Sequence, residues 1–380
     1  MNDRSYVRRI PAMVAVVTAL SAATVNAQQS LDNFTFHGSL TAAYAKSDGL
    51  GVLGIPKEGT FDYNLIALQF GYKFDEKNRV VVQLLHRSMG TSPLVPLMPE
   101  LSPVWAFYER KAAGFAFKLG RSPLPHGIFN EVRFIGTLLP MFRQATYLET
   151  LENIDGIVVS RAFELGRDWS IDANAMVGEF DIKYVLPTAT GSIAGVQRAK
   201  NSFGSQLWLR TPVKGLRVGV FADRFDFGTA PTIPAPKSPI LVRTLSVDGD
   251  FEHGFLRAEW QDLAGGRGTG RTFYSNWYVQ GGVKVTDKLT VLSEFNAAKT
   301  LLIPTPLPDI MLDLNKDISG AVNYSPSANV KYKFELHRAN GYAFDTAVPT
   351  LIAPTKAPFV MTTAPRSKAV YGILSIAVSF

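Results

Sequence analysis

Runs of alternating chemistry, joined by connections that are alternately short and long, constrain this chain of 380 residues more than any other feature. From Asn33 onward the repeat is two residues and almost nowhere 3.6, which is the pattern of strands. In residues 61–74, Ile66, Leu68, Phe70, Tyr72 and Phe74 share one face, while Ala67, Gln69, Gly71 and Lys73 share the other. In residues 326–338, Val330, Tyr332, Phe334 and Leu336 oppose Lys331, Lys333, Glu335 and His337.

The same reading places strands at 33–46, 61–74, 79–89, 103–111, 114–122, 154–164, 168–179 and 203–211. It continues with 215–226, 239–250, 254–263, 271–286, 288–299, 312–324, 327–338 and 366–380, sixteen in all. Short turns fall at Asp75-Glu76-Lys77-Asn78, Ala112-Ala113, Gly166-Arg167, Pro212-Val213-Lys214, Glu252-His253, Asp287 and Ser325-Pro326. Long connections fall at 47–60, 90–102, 123–153, 180–202, 227–238, 264–270, 300–311 and 339–365. A soluble sandwich has no reason to alternate in this way. A bacterial transmembrane barrel does, having an even number of antiparallel strands, tight turns at one end and longer loops at the other.

No segment of the mature chain has about 18 consecutive apolar residues, so helices do not carry it through a bilayer. With 46% hydrophobic residues it is no disordered polar chain, coiled coil or collagen. Hydrocarbon offers the peptide group no hydrogen-bond partner, so strands cross only as a closed ring. The expected fold is all-β: one closed antiparallel transmembrane barrel over residues 28–380. About eight strands can be filled by side chains, whereas sixteen leave an aqueous lumen.

Residues 1–27 read as a cleaved export signal. Arg4, Arg8 and Arg9 precede the apolar run PAMVAVVTALSAATV, and Val25-Asn26-Ala27 supplies small residues for cleavage. Their removal takes three basic residues and Asp3, leaving 36 basic and 31 acidic side chains. There is no cysteine, so disulfides, thiol catalysis and cysteine-bound zinc are excluded.

The last ten residues alternate Gly372, Leu374, Ile376, Val378 and Phe380 with Tyr371, Ile373, Ser375, Ala377 and Ser379. This ending resembles the C-terminal signature of Gram-negative outer-membrane barrels, in which the assembly machinery reads a terminal Phe; Tyr371 and Phe380 are the residues concerned. In strand number and in its long connection after the fifth strand, the chain resembles the general sixteen-stranded porins. That resemblance implies a third loop folded into the lumen, a homotrimer, and an outer-membrane setting of lipid and lipopolysaccharide. The run Leu119-Gly120-Arg121, Pro123, Pro125-His126-Gly127, Phe129-Asn130-Glu131, Arg133, Pro140 and Tyr147 is also similar to porin-like proteins related to the phosphate-selective group.

Within Arg121–Asn153, Ile128, Phe129, Phe134, Ile135, Leu138, Leu139, Met141 and Phe142 need burial, and the barrel wall is the surface at hand. Arg121, His126, Asn130, Glu131, Arg133 and Arg143 would then lie in the lumen as a constriction attractive to anions; a folded plug or an outward lid is the alternative. Alternation also turns inward Gln83, Arg87, Arg110, Lys118, Gln206, Arg210, Arg217, Asp223, Arg257, Glu259, Gln261, Lys284, Glu294, Lys331, Lys333 and Glu335. Bases outnumber acids in this set, and rings of Arg or Lys favour anions. Any one of them could instead be a solvated rim residue. Tyr44, Tyr72, Trp105, Tyr108, Trp260, Trp277 and Tyr371 suit interfacial girdles.

Other motifs are weaker. Ala264-Gly265-Gly266-Arg267-Gly268-Thr269-Gly270-Arg271 lacks the Lys-Ser/Thr ending of a nucleotide loop and reads as an external loop. The five histidines, His37, His86, His126, His253 and His337, show no paired ligand spacing, and no G-x-S-x-G elbow occurs. The proline-rich pieces 231–239, 304–308 and 349–358 read as stiffened loops. Basic residues are dispersed, with no nucleic-acid motif. The expectation is a porin passing small hydrophilic solutes, without cofactor, metal or enzymatic activity. A substrate-specific oxyanion channel, a barrel enzyme or adhesin, and a soluble exported β protein are the competing classes.

Overall fold

The computed structural model describes residues 33–49, 51–142, 151–188, 191–228, 239–265, 272–302, 310–341 and 367–380. The signal at 1–27, Arg143, Tyr147, the glycines beyond Gly265 and the proline-rich stretches 231–238, 304–308 and 349–358 lie outside these residues. The strands are β1 (Phe34–Ser47), β2 (Thr60–Lys73), β3 (Asn78–Met89), β4 (Ser102–Ala112), β5 (Phe115–Pro123), β6 (Asn153–Gly166), β7 (Trp169–Thr188) and β8 (Gly191–Arg210). They continue as β9 (Leu216–Phe227), β10 (Ile240–Phe251), β11 (Gly254–Gly265), β12 (Thr272–Lys284), β13 (Leu289–Leu302), β14 (Ile310–Ser327), β15 (Val330–Gly341) and β16 (Ser367–Ser379). Each pairs antiparallel with its sequence neighbours, and β1 pairs with β16, from Ser39 opposite Ser379 to Ser47 opposite Tyr371. The ring of sixteen expected from the alternation is therefore closed, and the ring itself has no free edge.

Tight turns join the strands at the end where β1 begins. Ala113-Gly114 and Arg167-Asp168 each bridge two strands as a two-residue hairpin with both residues at positive φ, the turn whose twist matches that of the strands. At the first of these, Gly114 takes φ 79° without a Cβ clash. In the first turn, Asp75 accepts from the Lys77 amide and the Asn78 side chain.

One expected connection is corrected. The segment 180–202 is mostly strand, because Asp181–Thr188 and Gly191–Arg198 pair with each other. β6 pairs with β7 only as far as Glu179, and β9 reaches β8 only at Ala199. Among the described residues, this ribbon therefore rises past the ring with no third strand beside it.

Outward residues are apolar across most of the wall: Leu119, Val177, Leu207, Val220, Leu245, Leu256, Val279, Val291, Phe334 and Leu374 are all exposed. Tyr44, Tyr72, Tyr108, Trp260 and Trp277 share that outward face, whereas two expected girdle aromatics turn inward. Trp105 is buried 6.2 Å from Phe134, because a bulge at Val104 resets the alternation of β4. Tyr371 is buried, stacked on His337 at 4.4 Å and donating to Asp317. It lies nine residues from Phe380, and an odd separation puts the two on opposite faces of a strand.

The inner wall also holds apolar patches covered by connecting segments. Val52 and Ile55 of the first connection bury against Tyr63, Met89, Ala369 and Tyr371, a cluster that extends to Phe142. Leu124 joins Ile154, Met176, Phe180, Phe225 and Val242. Each fully buried aliphatic or aromatic side chain stabilises the fold by roughly 1.5–3 kcal/mol.

At the seam, Phe380 and Gly38 exchange backbone hydrogen bonds of 3.0 and 2.8 Å. The Phe380 ring lies over Gly38 and 5.6 Å from Phe36, and a Cβ at Gly38 would approach the ring to 2.2 Å. Gly38→Val should displace that ring and cost about 1 kcal/mol, at the low end for overpacking since the ring can move outward. The expected outcome is a lower unfolding temperature in the heat-dependent gel shift of the barrel, with Gly38→Ala in between.

Candidate functional site: the lumen and the third connection

The described part of the connection after β5, Leu124–Phe142, makes contacts around almost the whole ring. His126 Nε2 lies 2.7 Å from the Gln261 amide nitrogen on β11 and 3.0 Å from Thr244 Oγ1 on β10. The Ile128 amide donates to Glu259 of β11, and Gln206 of β8 donates to the Gly127 carbonyl. The Gly136 amide donates to Ser39 on β1, and the Thr137 hydroxyl to Ser379 on β16. Asn323 of β14 donates to the Pro140 carbonyl and Lys333 of β15 to that of Met141, while the Phe142 amide donates to Glu335. These strands lie on opposite sides of the ring, and their bonding side chains share the inward alternation.

Two buried carboxylates act as fasteners. Glu259 accepts from the Ile128 amide at 2.9 Å, the Ser246 hydroxyl at 2.6 Å and the Tyr278 hydroxyl at 2.9 Å. Glu335 accepts from the Phe142 amide at 2.6 Å. Hydrogen bonds to a charged acceptor are worth roughly 1.5–3 kcal/mol each. Apolar contacts add to them: Phe129 and Leu139 pack with Tyr278, Phe134 with Trp105 and Leu85, and Met141 with Leu292 and Ala321.

The residues expected to form the constriction divide into several groups. Arg121 is corrected outright: it shares the outward register of Phe117 and Leu119 and bonds Asp155 through Nε at 2.6 Å. Asp155 also binds Arg198, which bonds Glu179 and Asp181 as well, so Arg121 belongs to an ion-pair cluster outside the ring. His126, Asn130 and Arg133 are buried within the connection. The Asn130 side-chain amide donates to the carbonyls of Leu124 and Leu151, tying both stems together, and its oxygen accepts from Arg133. Glu131 remains exposed, 3.8 Å from Lys118.

Glu152 joins Arg87, Arg133 and Lys183 at 2.8, 3.5 and 3.4 Å. Burial alone would raise its carboxyl, but the charges of Arg87, Arg133 and Lys183 outweigh this and hold it well below the usual carboxylate range. Burial, helped by Arg133, brings the His126 imidazole down to about 3. Its ring is therefore neutral at pH 7, and its Nε2 accepts from the Gln261 amide.

Of the expected wall residues, Arg87, Lys118, Arg210, Arg217, Arg257, Lys284, Lys331 and Lys333 follow the inward alternation. Arg110 is corrected: it is exposed on the outward register with Tyr108, and the inward residue is Glu109, which pairs with Arg79. Carboxylates accompany most inward bases. Arg210 binds Asp172, Arg217 and Arg257 share Asp248, and Lys284 binds Asp250. Lys333 rests on the Met141 carbonyl. Lys331 has no acidic partner among the described residues, and Arg257 lies within electrostatic reach of it.

Loss of the charge at Glu152 carries a definite sign with pH. Its lowered carboxyl stabilises the fold above the unfolded value near 4.5, and that contribution fades as the pH falls below it. Glu152→Gln should cost about 3 kcal/mol at neutral pH. The gap between variant and wild type in thermal unfolding should then shrink steadily below about pH 4.5. His126, neutral when buried, acts with the same sign between about 6.5 and 3, and His126→Gln should remove that part of the slope.

Comparisons with known proteins concern the fold. No family model matches the sequence, and no curated protein matches it. Among solved structures, OmpF of Salmonella typhi in complex with daunomycin is similar at 12% identity and TM-score 0.58, covering 92% of this chain and 98% of that one. The anion-selective porin from Comamonas acidovorans is similar at 12% identity and TM-score 0.54, covering 91% and 99%. The trimer form of OmpT, an outer membrane protein of Vibrio cholerae, is similar at 12% identity and TM-score 0.51, covering 91% and 99%. The chain has the sixteen-stranded porin fold.

Proposed function

We propose that this protein is an outer-membrane porin: a water-filled channel for passive diffusion of small hydrophilic solutes, narrowed by its third connection and moderately selective for anions. The carrying observation is the closed ring whose inward residues are ionised and hydrogen-bonded while its outward residues are apolar. Such a ring separates water inside from hydrocarbon outside, and its throughput is set by geometry and charge. A connection bonded to β1, β8, β10, β11, β14, β15 and β16 keeps its place during passage and so defines a fixed size limit. Export through the cleaved segment 1–27, barrel assembly guided by the β16 ending and a homotrimeric state complete the reading. The trimer form among the similar structures supports the last of these.

The anion preference rests on fewer groups than a count of inward bases suggests. An arginine bound to a carboxylate attracts a passing anion weakly, because the pair is nearly neutral at a distance. The exception among the described residues is Lys331 on β15, an inward base with no carboxylate partner. This group concentrates anions two residues along β15 from the Lys333–Met141 contact. An anion-selective porin among the similar folds agrees with this reading.

Reversal potentials in planar bilayers across a salt gradient test the proposal. Lys331→Gln should lower the anion-to-cation permeability ratio about twofold, a screened Coulomb effect at short range, and Lys331→Glu should lower it further. Potentials that stay put in both variants would refute the anion preference. Block that saturates with phosphate would instead mark a substrate-specific oxyanion channel.

A further inference from the structure

The outer wall of β9–β14 carries an arrangement that solute passage does not use. Cross-strand register there aligns a polar row, Arg243, Asp262, Ser275, Lys299 and Asp313, near the ends that lead into the long connections. The next outward row toward the tight turns is apolar, running through Val220, Leu245, Trp260 and Trp277. Trp260 and Trp277 face each other across β11 and β12. Around them lies a groove of about 780 Å³, with Leu245, Val247 and Val279 along its sides and Ala258 in its floor.

Among the described residues, the charges beside this groove do not cancel. Arg243 is bound to Asp262 through two hydrogen bonds. Lys299 and Lys316 share the single carboxylate of Asp313, at 3.9 and 2.9 Å. Their side chains are 52% and 43% exposed, so both ammonium groups can reach a further anion. Lys316 stands opposite Ala297, which stands opposite Trp277. The surplus positive charge therefore lies at the polar margin of the apolar groove. Paired tryptophans suit that margin, where an apolar ring body meets a wet boundary.

We propose that this groove is a specific seat for a phosphate-bearing membrane lipid. One acyl chain lies over Ala258 between Leu245 and Trp277, and its phosphate is held by Lys299 and Lys316. The proposal rests on the reading that the ring spans a membrane, and it adds one defined lipid site to an otherwise unspecific outer wall.

Native mass spectrometry of the full-length barrel released from detergent, with palmitoyl-oleoyl phosphatidylglycerol or phosphatidylcholine added, tests the idea. The wild type should retain one phosphatidylglycerol in preference to phosphatidylcholine. Each lysine removed should weaken retention about fivefold, so the double variant Lys299→Gln with Lys316→Gln should lose about 25-fold and its headgroup preference. Ala258→Phe, which fills the floor, should weaken both lipids. Unchanged phosphatidylglycerol retention in the double variant, or in an Ala258→Phe protein that keeps its heat-dependent gel shift, overturns the seat. Should Ala258→Phe fail to fold, the exposed lysines decide alone. Failure of the membrane reading looks different, since wild-type protein would then show no gel shift and no channels in bilayers. Conductance of the lysine variants should match wild type, because neither side chain faces the lumen.

Discussion

Pairing of β1 with β16 is the interaction on which the rest of the structure depends. Each peptide group in a strand needs a partner, and hydrocarbon supplies none. Closing the ring satisfies the last two rows of donors and acceptors together. It also creates an inside, so one alternation can bury charge on one face and expose leucine and valine on the other. The small residue at Gly38, the terminal Phe380 ring above it and the register from Ser39 to Ser47 all serve that single seam.

Charge in the lumen has two distinct tasks. Carboxylates hold structure: Glu259 gathers a loop amide and two hydroxyls, Glu335 takes another loop amide, and Glu152 gathers three cations. Most bases on the wall are paired with other carboxylates, Asp172, Asp248 and Asp250 among them. Lys331 on β15 has no carboxylate partner among the described residues. A wall can thus hold many ions whose charges largely cancel one another.

Much of the fold was legible because strand alternation and turn length are local properties. Strand number, order and most ends follow from them, as does the inward face of β15 with Lys331, Lys333, Glu335 and His337. Parity failed where geometry departs from a regular strand. The bulge at Val104 shifts β4, so Glu109 and not Arg110 points inward. Arg121, close to the loop it precedes, was assigned to the lumen although its place beside Leu119 and opposite Asp155 turns it outward. The β7–β8 ribbon was hidden because weak alternation past Glu179 looks like a loop. Asn130 and Arg133 were read as solute-facing, yet their partners are the stems of the loop itself. Polarity alone cannot separate a fastener from a lining residue, since the distinction lies in contacts far apart in sequence. The first connection did carry a hint: Gly51-Val52-Leu53-Gly54-Ile55 is apolar for an exterior loop, and Val52 and Ile55 are buried.

The third connection touches both sides of the seam, with Gly136 bonded to Ser39 on β1 and Thr137 to Ser379 on β16. Those two anchor points are 340 residues apart in the chain and become neighbours only when the cylinder is complete. These two contacts can therefore coexist only in a closed ring. Docking at both points bolts the first and last staves together. Strut and latch are one segment: the stretch that crosses the interior also holds the cylinder shut.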